Sequence, residues 1–140
     1  MTRPLLASAL LALALTLAGA SCSSTASNIV NIREGGDSDV LVGNPSLLAD
    51  LAVDNVITRR RDDHRLEFKV NLTNKTSTDL RFQWRVEWYD GQGFLLDDPT
   101  RAWKADQLVG KDTRAIQQIS LSPDAVKARL HIERPNEITN

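Results

Sequence analysis

The 140-residue chain has a single cysteine, Cys22, and only two histidines, His64 and His131. One thiol cannot close an internal disulfide, which excludes a stapled scaffold. Two histidines without C-x-x-C or H-x-x-x-H spacing supply no zinc constellation. No G-x-S-x-G is present, so the strand-to-helix elbow of a serine hydrolase is missing. The adjacent acid pairs Asp62-Asp63 and Asp97-Asp98 point to opposite sides of an extended chain and do not converge for acid–base work. They read as solvated turns, and the twelve-residue calcium loop is absent. These absences leave no catalytic residue, no metal ligand and no cofactor other than lipid groups on Cys22, and the chain is expected not to be an enzyme. Charge of one sign is lacking too. Seventeen basic and eighteen acidic side chains give a formal charge of −1, without the basic footprint that nucleic acid requires.

What is present begins at the N-terminus. Arg3 precedes the apolar run Leu5 to Leu17, broken only by Ser8 and Thr16. That is the pattern of an export signal. A spanning helix needs about 20 apolar residues, and this run loses its apolar character by Gly19. The residues before the cysteine, Leu17-Ala18-Gly19-Ala20-Ser21, resemble the lipobox of bacterial lipoproteins, with Gly19 where leucine is usual. The resemblance implies that residues 1–21 are removed and that Cys22 receives diacylglyceryl and acyl groups. The alternative is cleavage after Ala20 at Ala18-Gly19-Ala20, which would release a soluble periplasmic protein. The unpaired thiol favours lipidation, and two or more acyl chains anchor stably where one is marginal. Ser23, rather than an acid, follows the cysteine; by resemblance to lipoprotein sorting patterns this implies the periplasmic face of the outer membrane.

Residues 22–39 (SSTASNIVNIREGGDSD after the cysteine) are rich in Ser, Asn, Gly and Asp and read as a flexible tether. Ile29, Val30 and Ile32 offer an edge strand as the alternative. Residues 40–134 read as one β-domain and 135–140 as a polar tail. Pro45 to Ala52 suits a helical turn or an approach to a strand over Val53 to Thr58. The run Arg59 to Arg65 (RRRDDHR) reads as a solvated turn. Leu66, Phe68, Val70 and Leu72 alternate with polar residues, as do Leu80, Phe82, Trp84, Val86 and Trp88, giving two strands with one wet face each. Their parity sends Trp84 and Trp88 into the core. Asp90-Gly91-Gln92-Gly93 predicts a tight turn before Phe94 to Leu96. Further strands are expected at Ala102 to Val109, Ala115 to Leu121 and Ala128 to Ile132, with one helical turn starting at Ser122-Pro123. If Leu66–Thr73 and Leu80–Trp88 form a hairpin, charge pairing selects the register that sets Leu72 opposite Leu80, Glu67 opposite Arg85 and Arg65 opposite Glu87. The competing arrangement sends the two strands to different sheets.

About seven short strands in some 100 residues predict an all-β, immunoglobulin-like sandwich of one domain. The succession of a strand ending in Asn-x-Thr, FQWRVEWYDGQG and SPDAVKARLHI resembles the YcfL-like family of small proteobacterial lipoproteins. That resemblance implies a periplasmic, lipid-anchored β-sandwich without an established enzymatic activity.

The expected function is a non-catalytic protein–protein interaction module of the cell envelope, attached to the membrane through its lipid. Trp103, flanked by Arg101 and Lys104, is the candidate contact with an envelope protein, since an exposed indole beside basic groups is a common interface anchor. The alternative function is a ligand-binding sandwich for a glycan, peptide or lipid, with the aromatic strand lining a cleft.

Overall fold

The computed structural model describes residues 27–135. Eight strands form two antiparallel sheets: β1 (Asn28–Arg33), β2 (Ser38–Leu41), β3 (Leu51–Arg60), β4 (Leu66–Asn74), β5 (Leu80–Tyr89), β6 (Lys104–Leu108), β7 (Thr113–Ile119) and β8 (Lys127–Glu133). One sheet has the order β2-β1-β8-β5-β6 and the other β3-β4-β7. A short helix α1 (Pro45–Asp50) precedes β3, capped by the Asn44 side chain accepting from Leu47 N with proline in its first turn, as the expected helical turn at Pro45 requires.

The period-two apolar residues of β4 and β5 are buried and face one another from opposite sheets. Phe68 and Trp88 meet with ring centroids 5.5 Å apart, and burying each such side chain contributes about 1.5 to 3 kcal/mol. Leu66, Leu72, Phe82, Val86, Leu130 and Ile132 complete the same core. The sandwich expected from the alternation is therefore present, with eight strands rather than about seven.

The hairpin between Leu66–Thr73 and Leu80–Trp88 is corrected by this arrangement. β4 pairs with β3 and β7, and β5 with β6 and β8. The charges chosen to fix its register have other partners: Glu67 binds Arg59 and Gln117 on its own sheet, and Arg65 binds Asp63. The true hairpin joins β3 to β4, pairing Arg60 with Leu66. Arg59 and Arg60 thus belong to the strand, and only Arg61 to Arg65 make the turn, with His64 at a φ of 64°.

The tether is corrected as well. Residues 22–26 lie outside the described residues, but 28–33 and 38–41 are strands. β1 is an interior strand, flanked by β2 and β8. Val30 and Ile32 are fully buried, and Asn28, which reads as a loop residue, is equally buried because its side chain donates to Asn44 O and accepts from Gly43 N and Asn44 N. In immunoglobulin-like order one sheet is built from the third, sixth and seventh strands; counted from β3, β5 and β8 supply the third and sixth and leave the seventh place open. β1, from the start of the chain, fills that place beside β8.

The remaining differences are local. Phe94 to Leu96 returns through one bridge, Tyr89 to Leu95, rather than a strand. A single 3-10 turn (Pro99–Arg101) precedes β6, and Ser122 to Asp124 form a turn without a helix. Arg134, the last residue given to the domain, binds Asp50 at 2.7 Å; residues 136–140 of the polar tail lie outside the described residues.

Candidate functional site: the outer face of the five-stranded sheet

Alternation along β1, β5 and β8 places a second set of side chains on the face away from the core. Strand register aligns them in rows. Leu41, Ile29, His131 and Arg85 form one row, and Asp39, Asn31, Arg129 and Glu87 the next. Arg33, Lys127 and Tyr89 form a third. A sheet face open to water needs no such order, yet Asn31 and His131 are buried there among polar neighbours.

The centre of the face is a connected network. Asn31 Nδ2 donates to Asp39 at 2.9 Å, and Arg129 donates to Asn31 Oδ1 at 3.3 Å. The Tyr89 hydroxyl donates to Glu87 Oε2 at 2.8 Å and accepts from Arg129 at 3.4 Å. His131 Nε2 lies 3.0 Å from the same Glu87 oxygen, and Arg85 is 3.2 Å from the other. Burial lowers the His131 pKa; Arg85 and Arg129 add to that, while Glu87 opposes it. The imidazole is therefore neutral at neutral pH and its contact with Glu87 is a hydrogen bond rather than an ion pair. Burial pushes the Glu87 carboxyl up, but hydrogen bonds from Tyr89 and His131 outweigh it, so the group is held below the ordinary carboxylate range. Burial, then Glu87, pushes the Tyr89 phenol up.

Trp103 closes this network at one side. It is 38% exposed, edge-on to the His131 ring at 6.5 Å, with the Arg85 guanidinium 4.8 Å from its ring centre. The Nε of Arg85 is buried without a hydrogen-bond partner among the described residues. The basic neighbours proposed for Trp103 do not gather around it: Lys104 lies over the Trp84 ring at 4.7 Å, and Arg101 pairs with Asp97 at 3.7 Å. Cys22, the expected lipidation site, lies outside the described residues.

Trp84 and Trp88 are in the core, as their parity predicts. Their indole N–H groups donate to Asp106 and to Thr100 Oγ1, and the burial of both rings leaves neither face as a platform for a sugar. Asp98 is buried rather than a solvated turn residue. It accepts from Thr100 N, Thr100 Oγ1 and Leu121 N. Among the described residues no group of three His, Cys, Asp or Glu is arranged to hold a metal ion.

The residues that sequence reasoning missed lie at the far end of β1 and β8. Arg33, Tyr89, Lys127 and Arg129 line a groove of about 650 Å³, with Gly91 and Gly93 on its rim. Lys127 and Arg129 sit over the Tyr89 ring, 5.7 and 5.0 Å from its centre. Burial, then the neighbouring Arg129 and Arg33, depress the Lys127 pKa. The signal available was the outward row Lys127, Arg129, His131; Arg33 was hidden inside the supposed tether.

The comparisons agree with this fold. A DUF1425 family member from Shewanella sp. pv-4 has a similar structure, with a TM-score of 0.56 and 24% identity over 84% of this chain and 95% of that one. Cj0090 of Campylobacter jejuni is similar with a TM-score of 0.52 and 21% identity, over 59% of this chain and 85% of that one. No curated protein matches. The model of a protein family of unknown function, DUF1425, matches residues 38–134, and the chain belongs to that family.

Proposed function

We propose that the chain is a lipid-anchored, non-catalytic lipoprotein of the cell envelope, of the YcfL-like grouping, that binds a protein partner through the outer face of its five-stranded sheet. Supporting the anchor are the apolar run ending by Gly19, the lipobox-like residues before Cys22 and the absence of any second cysteine. Ser23 supports the periplasmic face of the outer membrane. The observation that carries the binding role is the half-exposed Trp103 laid over the His131–Glu87–Arg85 network. A partly wet indole beside polar groups already fixed by their neighbours presents a rigid anchor that loses little freedom on association. Leu41, 52% exposed at the other end of the same row, extends the apolar part of that surface. Glycan capture by the aromatic strand is not favoured, because Trp84 and Trp88 are both buried.

Two experiments test the reading. Mass spectrometry of the mature N-terminus should find Cys22 carrying diacylglyceryl and acyl mass; an unmodified N-terminal Ser21 would overturn the anchor. Photo-crosslinkers placed in living cells at Leu41 and Trp103 should trap one discrete partner that a crosslinker at Lys69, exposed on the other sheet, does not. Equal adducts from all three positions would remove the assigned face.

A further inference from the structure

We infer that the groove formed by Arg33, Tyr89, Lys127 and Arg129 receives an extended acidic segment of a partner protein, with carboxylates on alternate residues. This rests on the reading of the outer sheet face as a protein-binding surface and gives that surface its specificity.

The argument starts from charge. Arg33 already has counter-ions, Asp39 at 2.9 Å and Asp37 at 3.4 Å. Glu34, on the groove wall, is taken by Arg60, and the Asp90 carboxylate accepts from Gln92 N and Phe94 N. Lys127 and Arg129 form no ion pair with any described residue. Their hydrogen-bond and ring contacts are the Tyr89 ring, the Tyr89 hydroxyl and Asn31 Oδ1, and Asp39, already paired with Arg33, acts on Lys127 only through space. Two cations held together on one ring, partly buried and with no carboxylate in ion-pair contact, are electrostatically costly. An incoming anion relieves that cost.

Geometry selects the kind of anion. Lys127 and Arg129 are two residues apart on β8, so their side chains leave the same face about 7 Å apart. Both then lean over the Tyr89 ring. Carboxylates on alternate residues of an extended peptide have the same spacing of about 7 Å. The groove also offers the apolar edge of Tyr89 and Val126. Beta carbons added at Gly91 or Gly93 would meet nothing within 4 Å, so the rim beside the ring is open. A groove of about 650 Å³ with this mixed lining suits a peptide better than a compact headgroup.

The test uses the full chain in neutral detergent and a fluorescein-labelled peptide of alternating Glu and Val. The peptide should bind, should weaken steeply as salt rises, and should lose at least tenfold in affinity when its Glu residues are replaced by Gln. K127Q with R129Q should cost at least tenfold. Should the double variant fail to fold, K127Q alone, which breaks no ion pair, should cost about threefold. No binding by the Glu peptide, equal binding of the Gln peptide, or full affinity in K127Q would overturn the proposal. So would competition by inorganic phosphate or phosphatidylglycerol vesicles at concentrations matching the peptide, since a headgroup would then be the occupant. Crosslinking at Leu41 and Trp103 is independent of these arms: a partner trapped there without peptide binding would leave the interaction face standing and remove only the acidic specificity.

Discussion

Glu87 on β5 holds His131 on β8 through a 3.0 Å contact between Oε2 and Nε2, on the side of the sheet away from the core and beneath the edge of Trp103. Because burial lowers the His131 pKa, the unfolded chain binds a proton there at a higher pH than the folded chain. Stability from this group is complete above the unfolded histidine value of about 6.5 and is lost as pH falls through the lower folded value. Glu87, with its pKa also lowered, acts in the same direction at more acid pH. Thermal unfolding should show the melting temperature falling between pH 7.5 and 5.5. In H131Q, where an amide replaces the titrating ring, that part of the slope should be largely gone. An unchanged slope in H131Q would refute the assignment.

Asp98 joins the loop before β6 to the segment after β7. Its carboxylate accepts three hydrogen bonds of 2.8 to 2.9 Å. D98A strands those donors and should lower stability by about 2 to 3 kcal/mol in urea unfolding. D97A, at an exposed position, should change it by less than about 0.5 kcal/mol. Comparable losses in the two variants would contradict the separation of their roles.

Asn74 occupies the crossing between the sheets. Its amide nitrogen donates to the carbonyls of Thr78, Leu108 and Val109, and its oxygen accepts from Thr76 N and Oγ1. Both polar atoms of the Asn74 side chain are therefore engaged within the fold. N74A should cost about 2 to 3 kcal/mol. N74D should cost more, because it turns a carboxylate toward carbonyl oxygens. An Asp variant more stable than the Ala variant would mean that the amide orientation is reversed.

Gly110 packs against the same crossing. A beta carbon there would lie 2.4 Å from the Ser77 carbonyl oxygen, a backbone atom with little room to retreat. G110A should destabilise the protein by about 1 to 3 kcal/mol, whereas G91A, with open space around it, should be close to neutral. Equal melting temperatures for G110A and the parent would disprove the close approach.

Trp103 gives the prediction that separates stability from binding. With more than a third of its surface exposed, W103A should cost only about 1 kcal/mol, its edge and cation contacts contributing in the range of such pairs. Partner capture by a crosslinker at Leu41 should nonetheless fall several-fold. Unimpaired capture would remove Trp103 from the interface.

The sequence made the core legible where strands carry one dry face. Leu66 to Leu72 and Leu80 to Trp88 show their burial directly, and so does the inward aim of both indoles. It was silent where polarity is internal. Asn28 and Asn31 are buried because neighbouring groups satisfy their amides, and in sequence such residues are indistinguishable from those of a linker. The choice between a hairpin and a crossing was equally hidden, since NKTSTD is compatible with either and Arg85 has an acidic neighbour, Glu87, on its own strand. The candidate face was half visible. Trp103 stands out, but Arg33 joins Lys127 and Tyr89 only once β1 takes its place beside β8.

That placement changes how a force would enter the domain. Only five residues separate Cys22 from Asn28, a reach of at most about 20 Å, so an anchor at Cys22 would hold the sheet close to its support. A pull from that side would act along β1, which is clamped by ladders to β2 and β8. Extracting it would require those hydrogen bonds to shear together instead of opening singly, and would expose Val30 and Ile32. β1 is thus a mechanical root set inside the sheet.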